Sequence, residues 1–289
     1  MRGVAFELPN RDGLPLRGDV LLPDGEAAGR PTVVVCHGFK GFKNWGFFPE
    51  LGRRLAQGGF LTILFNFSGS GIGPDLENFT ELDRFAGDTM SRQLDDLGCV
   101  LDALEAGRLP EAAPDLERVA LLGHSRGGAA ALLRARDDRR IGAVVTWAAV
   151  STLWRYSERE LGAWKRQGFL EFLNTRTQQQ MRIDYTAVED LEENRERYDV
   201  VRAVAELQIP LLLVHGEQDL SVPVQEGREL LAARTPGSAT LHEVQGAGHT
   251  FGAVHPWAGT TPALEEAMRV SLEWLQAHLR LAPRREGHA

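Results

Sequence analysis

Val119-Ala120-Leu121-Leu122-Gly123-His124-Ser125-Arg126-Gly127-Gly128-Ala129-Ala130-Ala131 is the stretch whose reading decides the fold. It opens as an apolar run suited to a buried strand. It passes through Gly123-His124-Ser125-Arg126-Gly127, which fits G-x-S-x-G, and closes on small residues suited to a helix packed close to a sheet. A serine at a sharp strand-to-helix turn sits in strained backbone, and glycines two positions to either side let the chain pass that closely. Such a turn pushes a hydroxyl out of the sheet and aims a helix N-terminus at the negative charge that develops when the hydroxyl attacks a carbonyl. Ser125 is therefore the candidate nucleophile.

A serine nucleophile needs a base. Of the eight histidines, His249 lies in Gln245-Gly246-Ala247-Gly248-His249 just after the last β-branched run, where small residues let a loop carry an imidazole across the strand ends. His37 and His215 read as packed residues, and His124 belongs to the elbow itself. The acid that orients the base is expected upstream, after another strand. His215-Gly216-Glu217-Gln218-Asp219-Leu220-Ser221-Val222-Pro223 supplies Asp219, with Glu217 as its rival. The order Ser, Asp, His along the chain is the one found where a serine elbow of this kind tops a parallel sheet. Two backbone N–H groups, of Phe39 after Cys36-His37-Gly38 and of Arg126 after the nucleophile, are expected to bind the oxyanion.

Outward from the elbow, short β-branched runs alternate with segments of helical period, as in a mostly parallel sheet with crossover helices. Val4–Leu8 and Leu16–Leu22, joined by Pro9-Asn10-Arg11-Asp12-Gly13, read as an antiparallel pair at one edge. Further strands are expected at Thr32–Cys36, Leu61–Phe67, Arg118–Gly123, Ile141–Ala149, Pro210–His215 and Thr240–Val244. Met90, Leu94, Leu97, Leu101 and Leu104 mark one continuous helix over 85–106, and Leu264, Met268, Leu272, Leu275 and Leu279 mark the last. Ser68-Gly69-Ser70-Gly71-Ile72-Gly73-Pro74 reads as a loop on the substrate side, and the tail from Pro283 as frayed.

The segment 151–205 breaks the alternation. It shows no strand pattern, 19 of its 55 residues are charged, and it holds all three tyrosines. It reads as a helical cap inserted into a core of residues 1–150 and 206–289, since long insertions in compact domains usually serve function. Trp154, Tyr156, Trp164, Phe169 and Phe172 are its candidate substrate-binding residues, favouring bulky or aromatic acyl groups.

The bulk properties narrow the partners. A net charge of -8 weighs against nucleic acid and anionic membranes, and 43% hydrophobic residues with 25% charged suit a soluble domain. Two cysteines, Cys36 and Cys99, make no disulfide framework, so a cytoplasmic location is expected. No apolar stretch is long enough to span a membrane. Neither a metal motif nor a full G-x-G-x-x-G is present, so no cofactor and no metal are expected, and a monomer or homodimer is.

His37-Gly38-Phe39, the Gly123–Gly127 elbow, the His215–Asp219 loop and Gly248-His249 together resemble the α/β-hydrolase superfamily, from about residue 3 to 280. The resemblance is strongest to cinnamoyl/feruloyl-esterase, dienelactone-hydrolase-like and serine-aminopeptidase-like members. It implies an α/β-hydrolase fold with helices on both sheet faces, and hydrolysis of small to medium carboxylic esters, including aromatic or hydroxycinnamoyl ones, through an acyl-enzyme. Dienelactone hydrolases proper use cysteine where this chain has Ser125, so their substrate is not carried over. An aminopeptidase, amidase or thioesterase with the same triad is the alternative, and a non-catalytic binding scaffold a third.

Overall fold

The computed structural model describes residues 2–23, 29–174 and 177–280. Eight strands form one sheet: β1 (Arg2–Pro9), β2 (Pro15–Leu22), β3 (Arg30–Cys36), β4 (Leu61–Phe65), β5 (Pro114–His124), β6 (Ile141–Trp147), β9 (Leu211–Gly216) and β10 (Ala239–Val244). Their order is β1-β2-β4-β3-β5-β6-β9-β10. β1 pairs antiparallel with β2, and β2 antiparallel with β4, while every pairing from β4 to β10 is parallel. The expected antiparallel edge is thus present, and the two outer strands are longer than their apolar residues alone suggested.

Alternation along the strands divides the core into two layers. On β5, Val119 and Leu121 face one layer and Ala120 and Leu122 the other; on β3, Val34 and Cys36 oppose Val33 and Val35. This is the period of two that a strand buried on both faces imposes. The first layer is closed by α3 (Met90–Glu105), α4 (Arg126–Asp137), α7 (Val200–Glu206) and α8 (Val224–Ala232), the second by α1 (Phe48–Gln57) and α9 (Pro262–Arg280). Leu121 and Leu122 are fully buried, and truncating either to alanine would cost about 2–5 kcal/mol.

The helix expected over 85–106 is two helices, α2 (Leu82–Ala86) and α3. The chain breaks at Gly87-Asp88, where the Asp88 side chain turns into the interior, and Thr89 restarts the helix by accepting from the Arg92 N–H. The apolar stripe of α3 is buried as its spacing requires. None of the described helices is long and apolar enough to cross a membrane. The tail from Pro283 lies outside the described residues.

The segment 151–205 is not purely helical. Between α5 (Glu158–Gln167) and α6 (Thr186–Glu193) it folds into an antiparallel hairpin of β7 (Phe169–Asn174) and β8 (Gln179–Asp184), separate from the main sheet. Gly168, in the left-handed region, ends α5 and turns the chain into the hairpin. Met181 and Ile183 bury with Trp164, Tyr185 and Val188 against Phe42, Phe79 and Phe85. The end of the segment behaves differently: Tyr198, Val200, Ala203 and Val204 belong to the first core layer, so the chain has rejoined the main body by α7.

Candidate active site

Ser125 stands between β5 and α4 with φ 56 and ψ -123, in the left-handed half of backbone space that a non-glycine residue enters at a cost of order 1–3 kcal/mol. The surroundings enforce it. Its N–H donates to the Trp147 carbonyl at 2.8 Å, and its carbonyl accepts from Gly128 N–H at 2.9 Å. A Cβ on Gly123 would fall 2.3 Å from the Gly127 carbonyl oxygen, so glycine there lets strand and helix close on each other. The turn leaves Ser125 partly exposed on two cavities, of about 500 Å³ and about 280 Å³.

His249 lines both cavities with Ser125. Its Nδ1 lies 2.7 Å from Asp219 Oδ2. Because a carboxylate only accepts, Nδ1 carries the proton and Nε2 keeps its lone pair. Asp219 is itself held fast: Oδ1 accepts from the N–H groups of Ser221 at 2.8 Å and Val222 at 2.9 Å. Burial raises its proton affinity, but these bonds and His249 outweigh that and leave the carboxyl below its usual range. Glu217, the rival acid, bonds instead to the Gly246 N–H at 3.1 Å. Pro223, not Asp219, is the residue that precedes the first turn of α8.

The other three histidines near the elbow are bonded to backbone groups. His37 Nδ1–H donates to the Gly38 carbonyl, and its Nε2 accepts from Phe67 N–H; burial pushes its pKa down to about 4. His124 Nε2–H donates to the His249 carbonyl at 3.0 Å, tying the histidine loop to the elbow, and burial pushes it down to about 3. His215 Nε2–H donates to the Val222 carbonyl at 2.8 Å and braces the Asp219 loop.

Phe39 and Arg126 line the larger cavity beside Ser125. Among the described residues neither backbone N–H has a protein acceptor. The two loops touch: a Cβ on Gly38 would meet Ser125 Cβ at 3.0 Å. Two backbone N–H groups without a protein acceptor among the described residues therefore lie in the two touching loops.

Of the five aromatics expected in the substrate pocket, Tyr156 and Trp164 line the larger cavity, edge to face with ring centroids 5.1 Å apart. Trp154, Phe169 and Phe172 do not. Trp154 packs under the Arg195 guanidinium, Phe169 beside Arg182, and Phe172 against Phe39 and Phe85. The glycine-rich stretch from Ser68 is likewise absent from both cavities, because Gly69 is pressed onto buried Asp88 and Gly71 onto Phe85. Sequence reasoning missed Leu153, Ile183, Val188 and Leu191, which supply the apolar wall. The spacing of Val188 and Leu191 was a detectable signal, though one that does not tell cavity from core. Among the described residues no group of His, Cys, Asp and Glu is arranged to hold a metal ion.

Known proteins resemble this chain in sequence or in fold. An uncharacterized 31.7 kDa protein of the traX-finO intergenic region of Escherichia coli is 24% identical, covering 89% of this chain and 94% of that one. The crystal structure of the alpha/beta hydrolase GrgF from Penicillium sp. sh18 superposes with a TM-score of 0.74 at 19% identity, over 97% of this chain and all of that one. Est1E from Butyrivibrio proteoclasticus, solved with ferulic acid bound, gives 0.72 at 19% identity, over 96% of this chain and 100% of its own. At these identities the likeness is one of fold. The family itself is fixed by a sequence model that matches residues 33–263, and on that match the chain belongs to the alpha/beta hydrolase family.

Proposed function

We propose that this protein is a serine carboxylesterase with Ser125 as nucleophile, His249 as general base and Asp219 as the residue that orients and stabilises the base. The observation that carries this is the strained Ser125 turn opening on the same cavities as a histidine whose Nδ1 is fixed 2.7 Å from a buried carboxylate.

The chemistry follows from those groups. His249 Nε2 takes the Ser125 proton as Oγ attacks the ester carbonyl, and the Phe39 and Arg126 N–H groups bind the oxygen that becomes negative. The imidazolium is steadied by Asp219 and then protonates the departing alkoxide, leaving an acyl-enzyme. Water, deprotonated by the same nitrogen, attacks the acyl carbonyl and restores Ser125. The larger cavity, walled by Leu153, Tyr156, Trp164, Ile183, Val188 and Leu191, suits the acyl group. The smaller one, walled by Trp45, Phe48 and Thr250, suits the leaving alcohol. In this reading the segment from Leu153 to Leu191 acts as a cap that selects the acyl chain.

The charge of the linings favours esters over aminopeptidase substrates. A free α-ammonium needs a carboxylate to receive it, and among the described residues neither cavity is lined by Asp or Glu. Purified protein should turn over p-nitrophenyl esters and leave aminoacyl p-nitroanilides intact. Tyr156→Ala should raise KM for p-nitrophenyl benzoate several-fold more than for the acetate. Faster cleavage of the anilides would replace the esterase reading with an amidase one.

A further inference from the structure

The larger cavity is lined by three cations, Lys40, Arg126 and Arg155, in a chain whose net charge is -8. The three are not equivalent. Arg155 is committed, donating to both oxygens of Glu226 at 2.9 Å and to the Ser221 carbonyl at 3.0 Å. Lys40 is exposed at the rim, its Nζ over the rings of Phe39 and Phe172. Arg126 is different again. Its side chain is only 21% exposed, yet among the described residues its guanidinium donates no hydrogen bond.

That guanidinium forms a loose ion pair with Asp88, 3.8 Å from an Oδ2 that accepts from Gln93 at 2.5 Å, while Asp88 Oδ1 is buried without a hydrogen-bond partner. An arginine placed to hold an aspartate reaches bonding distance, as Arg140 does on Asp138 at 2.6 Å. Tyr156, across the cavity, is close enough for the Arg126 charge to oppose the upward push that burial gives its hydroxyl. A mostly buried planar fork of donors that makes no hydrogen bond to its ion-pair partner Asp88, on a cavity with no Asp or Glu in its described lining, matches a carboxylate better than any other small group.

We infer that the Arg126 side chain receives a carboxylate at the far end of the acyl group, so that the preferred substrates are monoesters of dicarboxylic acids. This rests on the esterase reading and names its substrate class. One residue then serves twice. Its backbone N–H meets the reacting carbonyl, while its side chain reaches along the cavity to the far end of the acyl chain. Lys40 adds positive potential at the entrance, which draws an anionic substrate in without fixing its orientation.

The test compares mono-p-nitrophenyl adipate with its isosteric primary amide, differing only in the charge at the far end. Wild-type kcat/KM should favour the carboxylate by at least about tenfold, the scale of a hydrogen bond to a charged group. Arg126→Gln should bring the ratio near one, and Arg126→Lys, which keeps the charge and loses the fork, should hold an intermediate value. A wild-type ratio of one, or a ratio that survives Arg126→Gln, would overturn the inference and leave the esterase reading standing. Absence of turnover on both compounds would instead remove the esterase reading. Calorimetric titration with adipate separates the two failures: binding that Arg126→Gln abolishes supports the carboxylate site without any chemistry, and absence of binding to the wild type rejects it.

Discussion

Gly127→Ala adds one methyl group at the tightest point of the elbow. The new Cβ would lie 2.3 Å from the His37 carbonyl oxygen and 2.5 Å from that of Cys36, whereas ordinary contacts begin near 3.4 Å. Both obstacles are backbone at the end of β3, so no side chain can swing aside, and the start of α4 must retreat by about 1 Å. Overpacking of this kind costs about 2 kcal/mol, or a fall in Tm of roughly 3 °C for a chain this long. The same retreat displaces Ser125 and the Arg126 N–H from the reacting carbonyl, and a 1 Å misplacement costs about 10²-fold in rate. Gly248→Ala is the control. It sits beside His249, but its added Cβ meets nothing within 4 Å. Thermal unfolding by circular dichroism and kcat/KM on p-nitrophenyl acetate should show Gly127→Ala impaired on both measures and Gly248→Ala within about twofold of wild type. Equal damage from the two, or a Gly127 variant with unchanged rate and Tm, would refute the close-approach reasoning.

Two further outcomes follow from the same geometry. Asp219→Asn should lower kcat by about 10⁴-fold, because an amide can present a donor to Nδ1 and stabilise the wrong tautomer; Glu217→Gln, whose parent touches only the Gly246 N–H, should cost far less, and steady-state kinetics on one ester would expose the reverse ranking. Stability should fall between pH 7.5 and 5. Buried His37 and His124, at about 4 and about 3, stay neutral in the folded protein while the unfolded chain protonates them below about 6.5, a loss of about 2 kcal/mol each, and Asp96, raised by burial to about 6, offsets about 1 kcal/mol by holding its proton when folded. Urea midpoints that rise on acidification would contradict this.

What the sequence revealed, and what it hid, has a physical pattern. The central strands were readable because burial on both faces demands unbroken apolar runs such as Val33–Cys36 and Val119–Leu122. The elbow was readable because steric closeness confines its glycines to fixed offsets within five residues. The hairpin of β7 and β8 was not. On β8 only Met181 and Ile183 are buried, and one alternation across Arg182, flanked by Gln180 and Asp184, does not rise above a polar segment. The break at Gly87 was hidden because the apolar stripe of α3 runs on in phase while the cause, a buried Asp88, depends on its neighbours in space. Composition placed aromatics in the segment 151–205 but could not say which faced inward, so Trp154, Phe169 and Phe172 were assigned to a cavity they do not line. The Arg126 guanidinium, ion-paired with Asp88 but making no hydrogen bond to it, lay hidden for a similar reason: a bond that is missing leaves no trace in a sequence.

The central claim is that Ser125 is a nucleophile activated by His249. It is tested most directly by incubating the protein with a fluorophosphonate and measuring intact mass, followed by peptide mapping. The account predicts one adduct per chain, on the peptide carrying Ser125, absent from Ser125→Ala and formed far more slowly in His249→Ala. An unmodified wild type, or an adduct that persists in Ser125→Ala, would contradict it.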